Sequence, residues 1–260
     1  MGLLGLRTSA LDLAGLTELT GAYMRRAPFE NLSKLLYKQR RGLTFVPGAD
    51  LFIEGIERWN FGGTCYANNC YLCRLLLALG FDARFCAADM SAPNVHAAII
   101  VTLEGVEYLV DAGYAAPFAS PMRRDLREEL AIHYDRNSYI LKPQDAAGRS
   151  RLEHRRDGAT THGYTLKPEA RELEEFREVI EGSFHQDATF MNAVLVARFR
   201  PEGFVTLHNT TVLIEREGES EEYQLSGREA MCAEIERLFG IPEEMARAAT
   251  AGIVLLKDEL

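Results

Sequence analysis

FGGTCYANNCYLCRLLLALGF, residues 61–81, is the stretch that decides how the first part of the chain folds. Leucines at positions 72, 75, 76 and 79 follow the i, i+3, i+4, i+7 spacing of a helix that buries one face. Gly80 comes next, and glycine is the residue that most often ends a helix in the left-handed conformation. The spacing therefore predicts a helix that begins near Cys65 and ends at Gly80.

Cys65 lies in the first turn of this predicted helix, shortly after the pair Gly62-Gly63. Two glycines permit a tight turn and the close approach of a ligand, and the positive end of a helix dipole favours a thiolate. This pattern is typical of a nucleophile, although a free cysteine is also often a plain core residue. Cys70 and Cys73 form a C-x-x-C pair inside the helix. Because no second pair of ligands follows at a suitable spacing, we expect both in the core and no metal site.

The segment HAAIIVTLEGVEYLVDAG, residues 96–113, has the pattern of a β-hairpin and contains a base that such a cysteine needs. If residues 104–105 form a two-residue turn, Asp111 faces Ala98 across the hairpin. His96 lies on the same face as Ala98, and such diagonal neighbours are about 7 to 8 Å apart. A three-residue loop would shift the register and separate the two side chains. The hairpin predicts that His96 and Asp111 act together, although each alone also fits a core histidine or a strand-end aspartate.

The composition is that of an ordinary globular chain with an excess of acidic residues. The chain has 260 residues, of which 47% are hydrophobic, and a formal charge of -9. No basic block exceeds an arginine pair, so neither nucleic acid nor an anionic membrane surface is an expected partner. No apolar run reaches the roughly 20 residues of a membrane span. Five cysteines, an odd number, fit reduced thiols, and no secretory signal is recognised, so we expect a cytoplasmic protein.

Three parts are predicted along the chain, and together they give an α+β fold. Residues 1–80 are helical in pattern. Residues 81–182 combine strands with a linking helix that Pro168 is expected to open. Residues 183–260 contain a hairpin pattern and a last helix at 228–239. The predicted strands of the middle part are 83–88, 96–103, 106–111, 138–141 and 163–167.

Several motifs, in order along nearly the whole chain, resemble those of the arylamine N-acetyltransferases. They are APFENL at 27–32, GGTCYANN at 62–69, HAAIIV at 96–101, YLVDAGY at 108–114, DATFMNAVLVARF at 187–199 and FGI at 239–241. The resemblance implies an N-terminal helical bundle, a central β-barrel and a C-terminal α/β lid around a cysteine-protease-like core. It also places the family's catalytic triad on Cys65, His96 and Asp111.

The resemblance further implies ping-pong acyl transfer without a metal. Cys65 would take an acetyl group from acetyl-CoA as a thioester and pass it to an arylamine or hydrazine acceptor. The resemblance implies that Phe29, Tyr114 and Phe190 line the acyl or aromatic pocket and that Gly113 lies near the coenzyme. Each of the three aromatic residues also fits a core position.

Three positions depart from the family pattern. Phe61 stands where relatives often carry arginine, Ala67 where they carry glutamate or glutamine, and Ala115 where many have a glycine. Three alternatives stay open: a macrolactam-forming amide synthase that takes its acyl group from a carrier protein, a papain-like hydrolase, and a catalytically silent binding homologue. The departures at Phe61 and Ala67 would favour the last if they disable the site.

Overall fold

A computed structural model describes residues 2–6, 10–200, 203–216 and 218–253 of the chain. The α-helices are α1 (Leu13–Arg26), α2 (Leu32–Arg41), α3 (Ala49–Trp59), α4 (Cys65–Leu79), α5 (Arg177–Gly182), α6 (Thr189–Asn192), α7 (Arg228–Phe239) and α8 (Glu243–Thr250). Short 3-10 helices cover Gly2–Leu4 and Leu173–Phe176. The strands are β1 (Phe29–Glu30), β2 (Asp82–Asp89), β3 (His96–Leu103), β4 (Val106–Val110), β5 (Met122–Arg123), β6 (Leu130–Tyr134), β7 (Asn137–Leu141), β8 (Ser150–Arg156), β9 (Ala159–Ala170), β10 (Leu195–Arg200), β11 (Gly203–His208), β12 (Thr211–Arg216) and β13 (Glu219–Gln224). Within the described ranges, none of the helices has the length and apolar character of a membrane span.

Helix α4 agrees with the sequence prediction at both ends. It begins at Cys65 and is followed by Gly80, whose φ of 98° is the left-handed conformation that ends a helix. Leu72 and Leu76 are fully buried. Burying two leucine side chains contributes about 3 to 6 kcal/mol, so this face fixes α4 against the rest of the molecule. Cys70 and Cys73 lie in the same core, as predicted.

Strands β2 to β9 form one antiparallel sheet in the order β5-β4-β3-β2-β9-β8-β7-β6. Its β3–β4 hairpin has Leu103 opposite Val106, which confirms the predicted register. Glu104 and Gly105 both have positive φ, 50° and 80°. Positive φ at both central residues is the type I′ geometry, which matches the twist of the two strands. The turn therefore sets which side chains of β3 and β4 share a face.

Strand β3 separates two hydrophobic cores, because successive side chains of a strand point to opposite faces. Ala97, Ile99 and Val101 pack with α4. Ala98 and Ile100 point to the other face, where they meet residues of β2, β4, β7, β8 and β9. This second core fills the inside of the predicted barrel, which is an open one: among the described strands, β5 and β6 form its two edges.

A second antiparallel sheet, β1-β10-β11-β12-β13, forms the lid together with α7 and α8. Val205, Leu207 and Val212 pack against these helices. Thr206 and His208 alternate with them along β11 and so lie on the opposite face of the sheet. The lid thus has one apolar face against helices and one more polar face toward the barrel.

Several elements differ from the sequence prediction, and strands β5, β6 and β8 were not predicted at all. Strand β1 lies inside the predicted helical part and pairs with β10 of the lid. Pro168 opens no helix but lies within β9, where the register shift opposite Cys86–Ala88 accommodates a residue that has no N–H to donate. The predicted last helix at 228–239 is confirmed as α7, but α8 follows it, with Pro242 at its N-terminal boundary.

Candidate active site

The turn before Cys65 is closely packed against the segment that leads into β1. A Cβ atom at Gly62 would lie 2.0 Å from the carbonyl oxygen of Pro28, so only glycine fits there. The Gly63 carbonyl accepts a hydrogen bond from the N–H of Glu30 at 3.1 Å. The first N–H groups of a helix have no partner within the helix. Cys65, as the first residue of α4, therefore lies beside unpaired donors at the positive end of the helix dipole.

His96 and Asp111 lie together, as the hairpin register predicts. His96 Nε2 donates to Asp111 Oδ2 at 2.8 Å, and both side chains are buried. The other oxygen, Asp111 Oδ1, accepts from the amide of Asn69 at 2.8 Å and from the N–H of Gly113 at 2.9 Å. Both oxygens of the carboxylate are thus held, and one faces the imidazole.

Asp111 engages one ring nitrogen of His96, and Cys65 lies beside His96 in the wall of one cavity. Burial opposes the charged form of His96, but the Asp111 carboxylate, its hydrogen bond to the ring and the nearby Cys65 outweigh it. The pKa of His96 is therefore raised above its ordinary value. A raised pKa favours the imidazolium, which is the form that pairs with a thiolate.

Asn69 connects the helix of Cys65 to the carboxylate of Asp111, a role that was not predicted from the sequence. It lies one turn after Cys65, fully buried. Besides Asp111, its amide donates to the carbonyl of Ala97 at 2.6 Å and accepts from the N–H of Ala112 at 2.8 Å. The signal in the sequence is the Asn-Asn pair after Cys65, because asparagine is unfavourable inside a helix and rarely buried without partners.

A cavity of about 380 Å³ lies between the barrel and the lid, beside Cys65 and His96. It is lined by Phe29, Cys65, Met90, Val95, His96, Gly113, Tyr114, Ala115, His154, His162, Phe190, Leu195, Thr206 and His208. All the predicted site residues line it except Asp111, which lies behind His96. The rings of Phe29 and Phe190 meet edge to face, 5.9 Å apart. The cavity has the size and the aromatic walls that small organic ligands favour.

A family model described as N-acetyltransferase matches residues 12–247. The chain belongs to the arylamine N-acetyltransferase family. Among curated proteins it is similar to arylamine N-acetyltransferase 2 of Rattus norvegicus, at 30% identity over 116 residues that cover 42% of this chain and 38% of that protein. Arylamine N-acetyltransferase 2 of Homo sapiens is 32% identical over 111 residues, covering 40% and 37%. Proansamycin X synthase of Amycolatopsis mediterranei is 30% identical over 118 residues, covering 42% and 44%. The alignments thus span about two fifths of these relatives.

Solved structures of this family have the same fold over nearly the whole chain. The arylamine N-acetyltransferase of Salmonella typhimurium superimposes with a TM-score of 0.78 at 20% identity, covering 97% of this chain and 99% of that one. The Mycobacterium marinum enzyme in complex with CoA gives a TM-score of 0.78 at 21% identity, covering 95% and 96%. These neighbours confirm the predicted α+β arrangement of bundle, barrel and lid.

Gly113 is required by packing in this arylamine N-acetyltransferase fold. A Cβ atom there would lie 2.4 Å from the Cα of Cys65 and 2.6 Å from the amide nitrogen of Asn69. Any larger residue would push the loop after Asp111 away from α4. The predicted place of Gly113 near the coenzyme stays a prediction.

Lys34 supplies a cation near Cys65 that the sequence does not indicate. Its ammonium group donates to the hydroxyl of Ser183 at 2.6 Å and lies 4.1 Å from the ring centroid of Phe184. Burial lowers the pKa of Lys34 to about 8, against an opposing attraction from Cys65. The positive charge of Lys34 therefore lies within electrostatic reach of the thiol.

The departures at Phe61 and Ala67 lie in different hydrophobic clusters. Phe61 packs edge to face on Tyr37, with the ring centroids 6.2 Å apart, in the cluster that includes α7 and α8. Ala67 belongs to the cluster around α4. Near Phe61, the fully buried Glu30 accepts from the N–H of Gly62 at 3.2 Å, and burial raises its pKa. Among the described residues no lysine or arginine forms an ion pair with Glu30.

In the described part of the chain, no group of three or more His, Cys, Asp or Glu side chains lies close enough together to hold a metal ion.

Proposed function

We propose that this protein is an acetyl-CoA-dependent arylamine N-acetyltransferase with Cys65 as nucleophile, His96 as base and Asp111 as the residue that orients the base. The observation that carries the proposal is the buried hydrogen bond between Asp111 and His96, with His96 beside Cys65 in the wall of an aromatic cavity of about 380 Å³. A nucleophile, a base and an orienter within hydrogen-bond reach form the arrangement that acyl transfer requires.

The first half-reaction acetylates Cys65. His96 takes the thiol proton, and the thiolate attacks the thioester carbonyl of acetyl-CoA. Unpaired N–H groups at the start of α4 stabilise the oxyanion of the tetrahedral intermediate. The bond from the carbonyl carbon to the sulfur of coenzyme A then breaks, and His96 returns its proton to that sulfur. Cys65 is left as a thioester.

The second half-reaction transfers the acetyl group to an arylamine or hydrazine. The amine nitrogen attacks the thioester of Cys65 while His96 takes up the proton that the nitrogen loses. A C–N bond forms, the bond from carbon to Cys65 breaks, and the thiolate is restored beside imidazolium. Because the cavity walls are largely apolar, they exclude water and favour an aromatic amine as acceptor.

Three features support the proposed activity, the residues proposed to bind substrate and coenzyme, and the proposed cytoplasmic location. The curated relatives are named arylamine N-acetyltransferases, and the Mycobacterium marinum relative was solved with CoA. Phe29, Tyr114 and Phe190 stand around the cavity where an aryl group would lie, and Gly113 stands beside Cys65. The five cysteines are free and buried, which suits the reducing cytoplasm.

We also propose that the chain consists of three domains, which cover residues 1–80, 81–182 and 183–260.

A second candidate function is amide formation with an acyl group from a carrier protein. The similarity to a protein named proansamycin X synthase supports this second candidate. Such an enzyme would use the same three side chains but would not be acetylated efficiently by acetyl-CoA.

Intact-mass analysis after incubation with acetyl-CoA tests both candidates. We expect one acetyl group on wild type, none on Cys65→Ala and one on Cys70→Ala, a matched cysteine on the same helix. Adding an arylamine or hydrazine should then remove the acetyl group and yield acetylated amine. Acetylation that persists in Cys65→Ala would overturn the assignment of the nucleophile. Release to water at the same rate with every amine would indicate a hydrolase, and an absence of acetylation would leave the carrier-protein synthase and the binding homologue.

A further inference from the structure

A second cavity, of about 150 Å³, adjoins the one beside Cys65. The two share part of their walls, namely Ala115, His154, Thr206 and His208. The second cavity lies between strands β7 and β8 of the barrel and strands β11 to β13 of the lid. A ligand that fills the first cavity therefore meets the second one directly beyond these four residues.

Strand β12 of the lid sheet forms one wall of the second cavity and determines its length. His208 on β11 pairs with Thr211 on β12, and both line the cavity. Leu213 and Glu215 follow Thr211 at alternate positions and line the same wall. Four residues of strand span about 13 Å, so Glu215 lies about that far from the Thr211 end.

Glu215 is a buried carboxyl group with one side-chain hydrogen bond and no ion pair among the described residues. Its exposed fraction is 2%, and Asn137 donates to its Oε1 at 2.8 Å. Among the described residues no lysine or arginine forms an ion pair with it. Burial raises the pKa of Glu215 to about 7, against hydrogen bonding by Asn137 and the attraction of Arg156. A buried carboxylate without a cation is costly, and a cationic ligand would remove that cost.

The charged residues that line the second cavity give it a net negative charge when Glu215 is ionised. Arg156 forms an ion pair with Glu222 at 3.0 Å, and both residues line the cavity. The two cancel, so ionised Glu215 leaves one negative charge. Phosphate groups would be repelled here, which separates this end from a binding place for coenzyme A.

His154 forms the aromatic passage between the two cavities. Its ring stacks on Tyr139 at 4.7 Å with an angle of 6° between planes, and its Nε2 donates to Asn137 at 2.9 Å. Burial, with the charges of His162 and Arg156, lowers the pKa of His154 to about 4, so the ring is neutral at pH 7. A neutral, fixed ring suits an aromatic ligand passing from one cavity to the other.

We propose that Glu215 forms a distal acceptor subsite, which selects aromatic amines or hydrazines whose far end carries a cationic nitrogen donor such as an amidine. The proposal rests on the proposed function, because Cys65 must carry the acyl group that such an acceptor receives. Amidine N–H groups pair with a carboxylate in the same planar, bidentate way as guanidinium. The acceptor would place its reactive nitrogen at Cys65 and its cation at Glu215.

The test uses three acceptors of one length: 4-aminobiphenyl bearing an amidine, a primary carboxamide or a carboxylate at the 4′ position. Acetylation of Cys65 is first verified by intact mass, and kcat/KM is then measured for each acceptor. We expect wild type to prefer the amidine over the carboxylate at least tenfold, with the carboxamide between them. Glu215→Gln should abolish the preference. Glu221→Gln is the matched control, because this acidic residue lies on neighbouring β13, is exposed and is absent from the cavity wall; it should keep the preference.

Equal kcat/KM for the three acceptors in wild type would overturn the subsite, and this comparison requires no variant to fold. A preference that survives in Glu215→Gln would also overturn it. If acetyl-CoA leaves Cys65 unmodified, the proposed function fails separately. Calorimetric binding of 4-amidinobiphenyl, which has no reactive amine, then decides: tighter binding to wild type than to Glu215→Gln supports the subsite, and equal binding overturns it.

Discussion

Replacing Asp111 by asparagine should slow acylation strongly while leaving the fold intact, because the surrounding hydrogen-bond donors determine the orientation of the new amide. Asp111 Oδ1 accepts from Asn69 and from the N–H of Gly113. The oxygen of an asparagine must stay at this position, since turning the amide would set its NH₂ against two donors. That reversal costs about 2 to 6 kcal/mol, from two unmade buried hydrogen bonds. The NH₂ group therefore faces His96.

With a donor facing it, His96 must present Nε2 as an acceptor and hold its proton on Nδ1. The nitrogen beside Cys65 then carries a hydrogen and cannot take the thiol proton. In a Ser-His-Asp enzyme the same wrong tautomer costs about 10⁴-fold in rate. We expect acylation of Cys65 in Asp111→Asn to be slower by about 10³ to 10⁴, which corresponds to about 4 to 5.5 kcal/mol in the barrier.

The measurement is the rate of acetyl-enzyme formation, followed by rapid quench and intact mass. Thermal unfolding of Asp111→Asn should remain close to that of wild type, because both donors to the retained oxygen are preserved. Asp125→Asn is the control: its carboxylate is exposed and pairs with Arg123, and its acylation rate should match wild type. If Asp111→Asn acylates within about tenfold of wild type, the tautomer argument is wrong.

Three further predictions concern the surroundings of the site. Asn69→Ala should lower the free energy of unfolding by about 3 kcal/mol in urea titration, because Ala97 and Ala112 lose their buried hydrogen-bond partner; an unchanged midpoint would contradict it. Lys34→Met should slow alkylation of Cys65 by iodoacetamide about tenfold near neutral pH, since the nearby cation favours the thiolate, whereas Lys38→Met on the same helix should not. Glu215 has a pKa raised from 4.5 to about 7 in the folded protein, so the unfolded chain ionises first as pH rises. As pH rises from 4.5 to about 7, the contribution of Glu215 to the free energy of unfolding should therefore fall by up to about 3 kcal/mol. Urea titrations at several pH values should show that Glu215→Gln reduces this dependence of the free energy of unfolding on pH.

Local patterns in the sequence predict the elements whose geometry depends on near neighbours. The leucine spacing and Gly80 predict both ends of α4, because a helix needs only one continuous apolar face and a residue that tolerates positive φ. The two-residue turn at Glu104-Gly105 predicts the register of the hairpin, and through it the meeting of His96 and Asp111. Each of these depends on residues fewer than 20 positions apart, where spacing alone determines which side chains share a face.

Distant pairings decide the rest, and no local spacing encodes them. Pro168 follows a strand pattern and precedes an acidic stretch, so locally it reads as a helix start; pairing of β9 with β2 keeps it in the sheet instead. Lys34 reaches the neighbourhood of Cys65 only because α2 packs beside the turn before α4. Glu215 is one of many acidic residues until the lid closes over the barrel and buries it beside Asn137. The sequence by itself determined α4 and the hairpin, whereas tertiary packing decided which charged groups were taken out of water, because burial depends on the whole chain.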